Sequence, residues 1–217
     1  MLAVELEDTL AATASISTVI QFLSGILVCR EFVSHGTTGE ASALPFITCY
    51  MSCSMWLLYG ILIKDSLIIV VNIFGVSLQL CYTITFILFS IRKSLPLKQL
   101  MAAVIFVALA YTYGLREADG ELARQRIGLL SCSLTIMFFA SPLTMLRHVI
   151  RVQNAATLPF PIILMSLIVC FQWVLYGYVL DDAFIKIPNL LGCILSAFQL
   201  SLFIIYPSKH QDQVRLM

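Results

Sequence analysis

Apolar residues run along this chain in long stretches, and short clusters of charged residues separate them. Each stretch is about twenty residues long, roughly what an α-helix needs to cross a bilayer. The stretches do not alternate between apolar and polar residues, as the strands of an outer-membrane barrel would. The pattern therefore predicts an all-α integral membrane protein. We number its seven predicted transmembrane helices as spans 1 to 7, which are roughly 12–30, 44–63, 67–91, 98–115, 127–147, 159–179 and 183–206.

The sequence around span 2 returns 117 residues later around span 6. The twenty residues from Trp56 to Gly75 share eight identical positions with those from Trp173 to Gly192. An internal repeat that duplicates polar residues in an apolar setting is typical of a site on the pseudo-symmetry axis of a transporter. The repeated residues with polar or aromatic side chains are Trp56, Tyr59, Asp65 and Asn72, which recur as Trp173, Tyr176, Asp182 and Asn189.

The repeat predicts how the spans are organised. Residues 12–91 form a first bundle of three helices, and residues 127–206 form a second one. Span 4, at 97–115, has no counterpart and acts as a linker helix, so the plan is 3+1+3. Because a single span joins them, the two bundles enter the membrane in the same orientation, as parallel repeats. Residues 207–217 are left as a tail.

The charges favour one orientation. With the N-terminus outside the cytosol, the cytosolic segments sum to +5 and the outer segments to −4, which gives the chain's net charge of +1. Lys and Arg alone divide as eight inside and five outside, in the same direction. We therefore expect an extracellular or lumenal N-terminus and a cytosolic C-terminus. The acidic first residues do not resemble a cleavable signal peptide.

Composition excludes several classes of protein. With 60% hydrophobic and 12% charged residues, a chain of this size cannot bury its apolar surface as a soluble domain. The seven cysteines fall in or beside predicted spans, which favours apolar thiols over a disulfide framework. The sequence holds no zinc spacing, phosphate-binding glycine loop or nucleophile with a plausible base. We therefore expect no enzymatic activity, no metal, no cofactor and no nucleic-acid partner.

The 3+1+3 plan and the doubled Trp, Tyr-Gly, Asp, Asn and Gly pattern resemble the SWEET family of sugar transporters. The resemblance extends over about residues 12 to 206. It implies a facilitative carrier of a mono- or disaccharide in contact with membrane lipid, and several members form homo-oligomers. Two alternatives stay open: a related PQ-loop carrier of an amino acid or other small solute, and a seven-helix receptor.

The two asparagines are candidate sugar ligands. Asn72 lies seven residues after Asp65, and Asn189 lies seven after Asp182, so each is about 10 Å below the outer surface. An amide offers two donors and an acceptor for sugar hydroxyls. The alternative is that each amide bonds only to its own bundle.

The resemblance assigns further roles. Trp56 and Trp173 would stack on the sugar ring, and their indole N–H groups could bond a hydroxyl. Met137 matches a position that is bulky in monosaccharide carriers, which favours a hexose such as glucose. An extracellular gate is implied at Tyr59, Tyr176, Lys64 and Asp182. Hinges are implied at Pro45, Pro142 and Pro159, with Gly25 in place of a fourth proline.

The interiors of the predicted spans contain no Asp, Glu, Lys, Arg or His, and the three histidines fall on loops, helix ends or the tail. Ion-coupled carriers usually need an intramembrane ionisable or cation-coordinating group. The sequence therefore predicts a uniporter that works by alternating access.

Overall fold

The computed structural model describes residues 2–207, and for residues 2–8, 140–142, 144 and 157 it describes the backbone alone. Within that range the chain forms nine α-helices and one short 3-10 helix at Ala155–Thr157. The α-helices, in chain order, are α1 Leu2–Leu23, α2 Gly25–His35, α3 Leu44–Ile63, α4 Ser66–Phe89, α5 Ser94–Arg116, α6 Gly120–Phe138, α7 Ala140–Val152, α8 Phe160–Val179 and α9 Ala183–Ile205.

Six helical segments of the described chain are long and apolar enough to cross a bilayer by length and composition. They coincide with predicted spans 1, 2, 3, 4, 6 and 7, so the prediction of an all-helical protein with several membrane-spanning segments is confirmed. Predicted span 5 differs, because the chain there divides at Phe139 into α6 and α7. In addition, α6 carries Glu121, Arg124 and Arg126 in its first two turns, and these lower its mean hydropathy.

The helices pack in two halves with related layouts. In the first half, α1, α2 and α3 all contact α4. In the second half, α6, α7 and α8 all contact α9. The halves meet where α1 packs against α8 and α3 packs against α6, and α5 lies against α3, α4 and α6.

Three clusters of buried apolar residues lie along the bundle. One cluster joins the halves: it includes Leu58 of the first half with Ile127 and Ile185 of the second, and it surrounds the C-terminal part of α3. The other two lie near the opposite ends of the same helices. One, around Ile47, joins the first half to Ala103 of α5, and the other, around Ile163, stays within the second half. The described core residues therefore hold the halves together at one end and pack them separately at the other.

Glycines allow equivalent close contacts in the two halves. A Cβ added to Gly75 in α4 would lie 2.6 Å from Cys53 Sγ and 2.8 Å from the ring of Phe22. A Cβ added to Gly192 in α9 would lie 2.6 Å from Cys170 Sγ. These distances are too short for any other residue without movement of the neighbours. The recurrence at the repeat distance explains why a glycine stands at both positions.

The first membrane segment breaks at Ser24, between α1 and α2. Gly25 opens α2 there, because any larger side chain would overlap the ring of Tyr82 in α4. The Tyr82 hydroxyl donates a hydrogen bond to the carbonyl of Phe22 at 3.1 Å, beside the break. Ser24 keeps right-handed helical dihedral angles, with φ −57° and ψ −28°, so Gly25 lies at a local irregularity of this segment. A hinge at Gly25 stays a prediction.

The candidate hinge prolines lie at helix starts. Pro45 is in the first turn of α3, and Pro159 immediately precedes α8. Pro142 lies near the start of α7, where its side chain is outside the described residues. Proline fits the first turn of a helix because its missing N–H would have no partner there. The helices of the first and fifth predicted spans are broken at Ser24 and Phe139 instead.

Candidate functional site

Two tyrosines cross the interface between the halves to reach aspartates. The Tyr59 hydroxyl, near the end of α3, donates to Asp182 Oδ2 at 2.5 Å. The Tyr176 hydroxyl, near the end of α8, donates to Asp65 Oδ2 at 2.5 Å. Each half supplies one tyrosine and one aspartate, so the two bonds are related by the repeat. Together they join the halves at the end where the shared apolar cluster lies.

Helix capping holds both carboxylates in place. Asp65 is the N-cap of α4, and its Oδ1 accepts from the backbone N–H groups of Leu67 and Ile68 at 3.0 and 2.9 Å. Asp182 is the N-cap of α9, and its Oδ1 accepts from the corresponding N–H groups of that helix at 2.9 and 3.3 Å. Capping occupies one oxygen of each carboxylate and leaves the other for the tyrosine.

A guanidinium makes the two crossings unequal. Arg124 of α6 places Nη2 3.3 Å from Asp182 Oδ2, and it also contacts Glu121 at 3.4 Å. Asp182 is only 3% exposed, whereas Asp65 is half-buried. A buried carboxylate needs compensation for its charge, and Arg124 supplies it. The crossing through Asp182 is therefore the more enclosed and more strongly charged of the two.

The four predicted gate residues do not all meet. Tyr59, Tyr176 and Asp182 lie in the crossings, with Asp65 as the fourth member. Lys64 instead ends α3 in a left-handed conformation with φ 60°, is exposed, and makes no ion pair in the described part of the chain.

The rim beside the crossings carries an ion pair. Lys186 Nζ lies 2.8 Å from Asp181 Oδ1, and this ammonium lowers the pKa of the exposed Asp181 carboxyl.

The two tryptophans also cross between the halves. Trp56 Nε1 donates to Thr135 Oγ1 of α6 at 2.9 Å, and Trp173 Nε1 donates to Thr18 Oγ1 of α1 at 2.9 Å. The threonines pass the bond on to carbonyls one turn earlier in their own helices, at 2.7 Å for Thr18 and 3.0 Å for Thr135. Both indole N–H groups are therefore already bonded to protein in this conformation.

Each tryptophan also packs against the tyrosine of its own helix that bonds to an aspartate of the other half. The rings of Trp56 and Tyr59 meet edge to face with centroids 5.6 Å apart, and those of Trp173 and Tyr176 do so at 5.7 Å. Each indole is thus in direct contact with one of the Tyr–Asp crossings.

One further polar contact joins the halves. Gln21 Nε2 of α1 donates to Ser166 Oγ of α8 at 2.7 Å. Among the described residues, the side chains that form these three hydrogen bonds between the halves are all neutral: they are indoles, hydroxyls and an amide.

The two asparagines hold equivalent positions in α4 and α9. Asn72 Nδ2 donates to the carbonyl of Ile68 at 2.8 Å, and Asn189 Nδ2 donates to the carbonyl of Ile185 at 2.8 Å. Each amide is thus held by its own helix. Its oxygen and second N–H make no other hydrogen bond to the described residues. Asn72 is buried and Asn189 is half-buried, so both amides keep hydrogen-bonding capacity inside the bundle.

The remaining predicted pocket residue, Met137 of α6, is 70% exposed and so is not enclosed by either half in this conformation.

Sequence reasoning missed Asp65 as a gate residue, Arg124, and the threonine pair. The repeat distance of 117 residues relates Thr18 to Thr135 and Asp65 to Asp182, so extending the repeat comparison to span 1 would have found the threonines. No repeat signal identifies Arg124, because Glu7 stands at the matching position.

We expect Tyr59→Phe to lower the free energy of unfolding by about 1–3 kcal/mol, because Asp182 loses a hydrogen-bond donor in a buried setting. The measurement is thermal unfolding of the purified protein in detergent. Tyr178→Phe is the matched control. Tyr178 lies near the end of α8, at the same end of the bundle as Tyr59, and its side chain is exposed. It should change stability by less than about 0.5 kcal/mol. Equal effects of the two variants would contradict the assigned role of Tyr59.

Thr135→Val and Thr18→Val should each destabilise the protein by about 1–2 kcal/mol, because each leaves a partly buried indole N–H unpaired. Thr112→Val provides the control, since this exposed threonine of α5 bonds only to a carbonyl of its own helix. The same unfolding assay compares the three. A Thr112→Val loss as large as the other two would show that the cost comes from the threonine and not from the tryptophan contact.

Comparison with known proteins matches both halves of the chain to one family. The family model described as "Sugar efflux transporter for intercellular exchange" (MtN3_slv) matches residues 8–94 and 125–211. The sugar transporter SWEET1 of Drosophila pseudoobscura pseudoobscura is 44% identical over 205 residues, covering 93% of this chain and 90% of that protein. The mouse protein of the same name is 30% identical over 212 residues, covering 97% of this chain and 96% of that protein.

A solved structure of a eukaryotic SWEET transporter superimposes with a TM-score of 0.86 at 30% identity, covering 94% of this chain and all of that one. The relatives named here are transporters and not enzymes. The family match covers most of the chain, and its two matched segments correspond to the two repeated halves. The chain belongs to the MtN3/SWEET family.

Proposed function

We propose that this protein carries a small neutral sugar, a hexose such as glucose, across a membrane by uniport and alternating access. The observation that carries the proposal is the pair of crossed Tyr–Asp hydrogen bonds, which closes one end of the interface between two repeated halves. At the other end the described core residues divide into one cluster for each half. A carrier of this kind opens to one side while it is closed to the other.

The proposed architecture is the 3+1+3 plan. Residues 12–91 and 127–206 form the two bundles, with α6 and α7 together acting as the fifth span and α5 as the linker. The separate contacts of α4 and α9 with the other helices of their own halves support this division. The tail at 207–217 lies almost entirely outside the described residues.

The closed end faces the outside or the lumen in this proposal, with the C-terminus in the cytosol. Support comes from the positive charges that flank the opposite end, among them Arg92 and Lys93 between α4 and α5, and Lys98 near the start of α5. The plasma membrane or the Golgi membrane is the proposed location, and association into homo-oligomers is part of the same proposal.

Asn72 and Asn189 bind the sugar hydroxyls in this proposal. Each amide keeps an oxygen and an N–H for a ligand, and its bond to a helix carbonyl fixes its orientation. Trp56 and Trp173 provide faces for stacking on the sugar ring, and Thr18 and Thr135 hold the indoles in place. The preference for a hexose rests on Met137 and on the family resemblance.

Opening of the closed end requires both tyrosines to leave their aspartates. Water at the membrane surface then replaces the lost donors, so the carboxylates are not left buried without partners. The breaks beside Gly25 and before Pro142, together with Pro45 and Pro159 at helix starts, are the proposed flexible points. The neutral side chains that join the halves below the Tyr–Asp crossings support uniport, because a carrier that couples to an ion usually needs an ionisable group within the membrane.

The direct test is counterflow of labelled glucose into liposomes that contain the purified protein and unlabelled sugar, with no ion gradient. We expect saturable exchange that does not respond to a pH gradient. Asn72→Ala and Asn189→Ala should each lower exchange by about 5- to 150-fold, since each removes a buried hydrogen-bonding partner of the substrate. Competition by unlabelled mono- and disaccharides ranks the preference.

Asn154→Ala is the matched control, because Asn154 caps only the short 3-10 helix before α8. It should exchange sugar like the parent protein. Parent-like exchange by a folded Asn72→Ala variant would contradict the site. Absence of exchange for every sugar, in protein that unfolds cooperatively, would contradict the function itself.

A further inference from the structure

A cleft of about 1160 Å³ lies at the end of the first half opposite the Tyr–Asp crossings. The loop between α2 and α3, the end of α4 and the start of α5 form its walls. The glycines Gly36 and Gly39 shape the loop, with φ of 68° and 54°. Neither asparagine of the proposed sugar site lines the cleft, so the cleft is separate from that site.

The lining of this cleft is strongly basic. Arg92, Lys93 and Lys98 all line it, against a single acid, Glu40. None of the three cations makes an ion pair with a described residue. No side chain caps α5, so the positive end of this 23-residue helix also faces the cleft wall without an acceptor. Charge and helix dipole both favour an anion here.

An unbonded hydroxyl in the cleft wall provides a second, independent indication of a ligand. Thr38 lines the cleft, and the residue as a whole is only 7% exposed. Its backbone N–H bonds to the carbonyl of Phe89 at 3.3 Å, which fixes the loop against α4. Its hydroxyl makes no hydrogen bond to any described residue and is not sealed from solvent, so it is open to the cleft. The hydroxyl can therefore donate to an oxyanion that binds there.

Apolar side chains at the same cleft indicate where the anion comes from. Ile91 is 85% exposed and Leu95 is 63% exposed, and both line the cleft beside the cations. They lie where the apolar helix α4 ends and the apolar helix α5 begins, at the edge of the two membrane segments. A soluble phosphate would leave these side chains in water, whereas a lipid would cover them with its acyl chains.

We propose that this cleft binds the phosphate headgroup of an anionic membrane lipid, held by Arg92, Lys93, Lys98 and the Thr38 hydroxyl. The lipid's acyl chains lie against Ile91 and Leu95. Juxtamembrane basic residues attract anionic lipid surfaces generally. The Thr38 hydroxyl and the uncapped N-terminus of α5 add directed donors to the three cations. Together these groups define a site for one phosphate group.

The test is native mass spectrometry of the purified full chain in detergent, titrated with phosphatidic acid or with phosphatidylcholine. We expect one phosphatidic acid molecule to bind much more tightly than phosphatidylcholine. The double variant Arg92→Gln, Lys98→Gln should weaken phosphatidic acid binding on the order of 30-fold, since each charge contributes roughly fivefold. Thr38→Val, which removes only the hydroxyl, should weaken it about fivefold.

Arg116→Gln with Arg151→Gln is the matched control, because it removes two exposed cations that do not line the cleft. Its affinity for phosphatidic acid should stay within about twofold of the parent protein. Equal loss in the two double variants would reduce the effect to net charge and overturn the site. Equal binding of phosphatidylcholine would overturn the anion preference. Displacement of the lipid by an equal concentration of inorganic phosphate would overturn the lipid as its source.

Discussion

The two hydrogen bonds from Tyr59 to Asp182 and from Tyr176 to Asp65 are the contacts on which the closed end depends. Each joins a neutral hydroxyl to a carboxylate, and a bond of this type typically contributes about 1.5–3 kcal/mol. Two bonds of this size help to hold the halves together at this end. Because both carboxylates also cap helices, an opening movement leaves each aspartate with its backbone donors. The closed end can therefore open at modest cost.

The repeat explains why the other contacts come in pairs. A chain of hydrogen bonds runs from each tryptophan to a threonine of the opposite half and on to a helix carbonyl. The same tryptophans pack edge to face on the gate tyrosines. A sugar that stacks on an indole thus touches a residue one contact away from the Tyr–Asp bond. Arg124 breaks the symmetry on one side, where it compensates the buried charge of Asp182.

Much of the helical arrangement could be predicted from the sequence, because long apolar stretches and the internal repeat are both visible in it. Six of the seven predicted spans are single segments long and apolar enough to cross a bilayer. The break at Phe139 was missed because the apolar run continues through it. The family resemblance placed Tyr59, Tyr176, Asp182 and Lys64 together in a gate; the first three lie in the Tyr–Asp crossings, whereas Lys64 ends α3 in a left-handed conformation and is exposed. The repeat relates Thr18 to Thr135, but only the packing of the helices shows that each bonds to a tryptophan of the opposite half.

The most direct measurement is of the distance between the two halves at the closed end, by pulsed electron paramagnetic resonance in liposomes. Spin labels at the exposed positions Ser66 and Ala183, at the starts of α4 and α9, would report it once the native cysteines are replaced. The account predicts a single short distance in the parent protein and a second, longer population when both Tyr59→Phe and Tyr176→Phe are present. An unchanged distance distribution in the double variant would contradict the claim that these bonds hold the end closed.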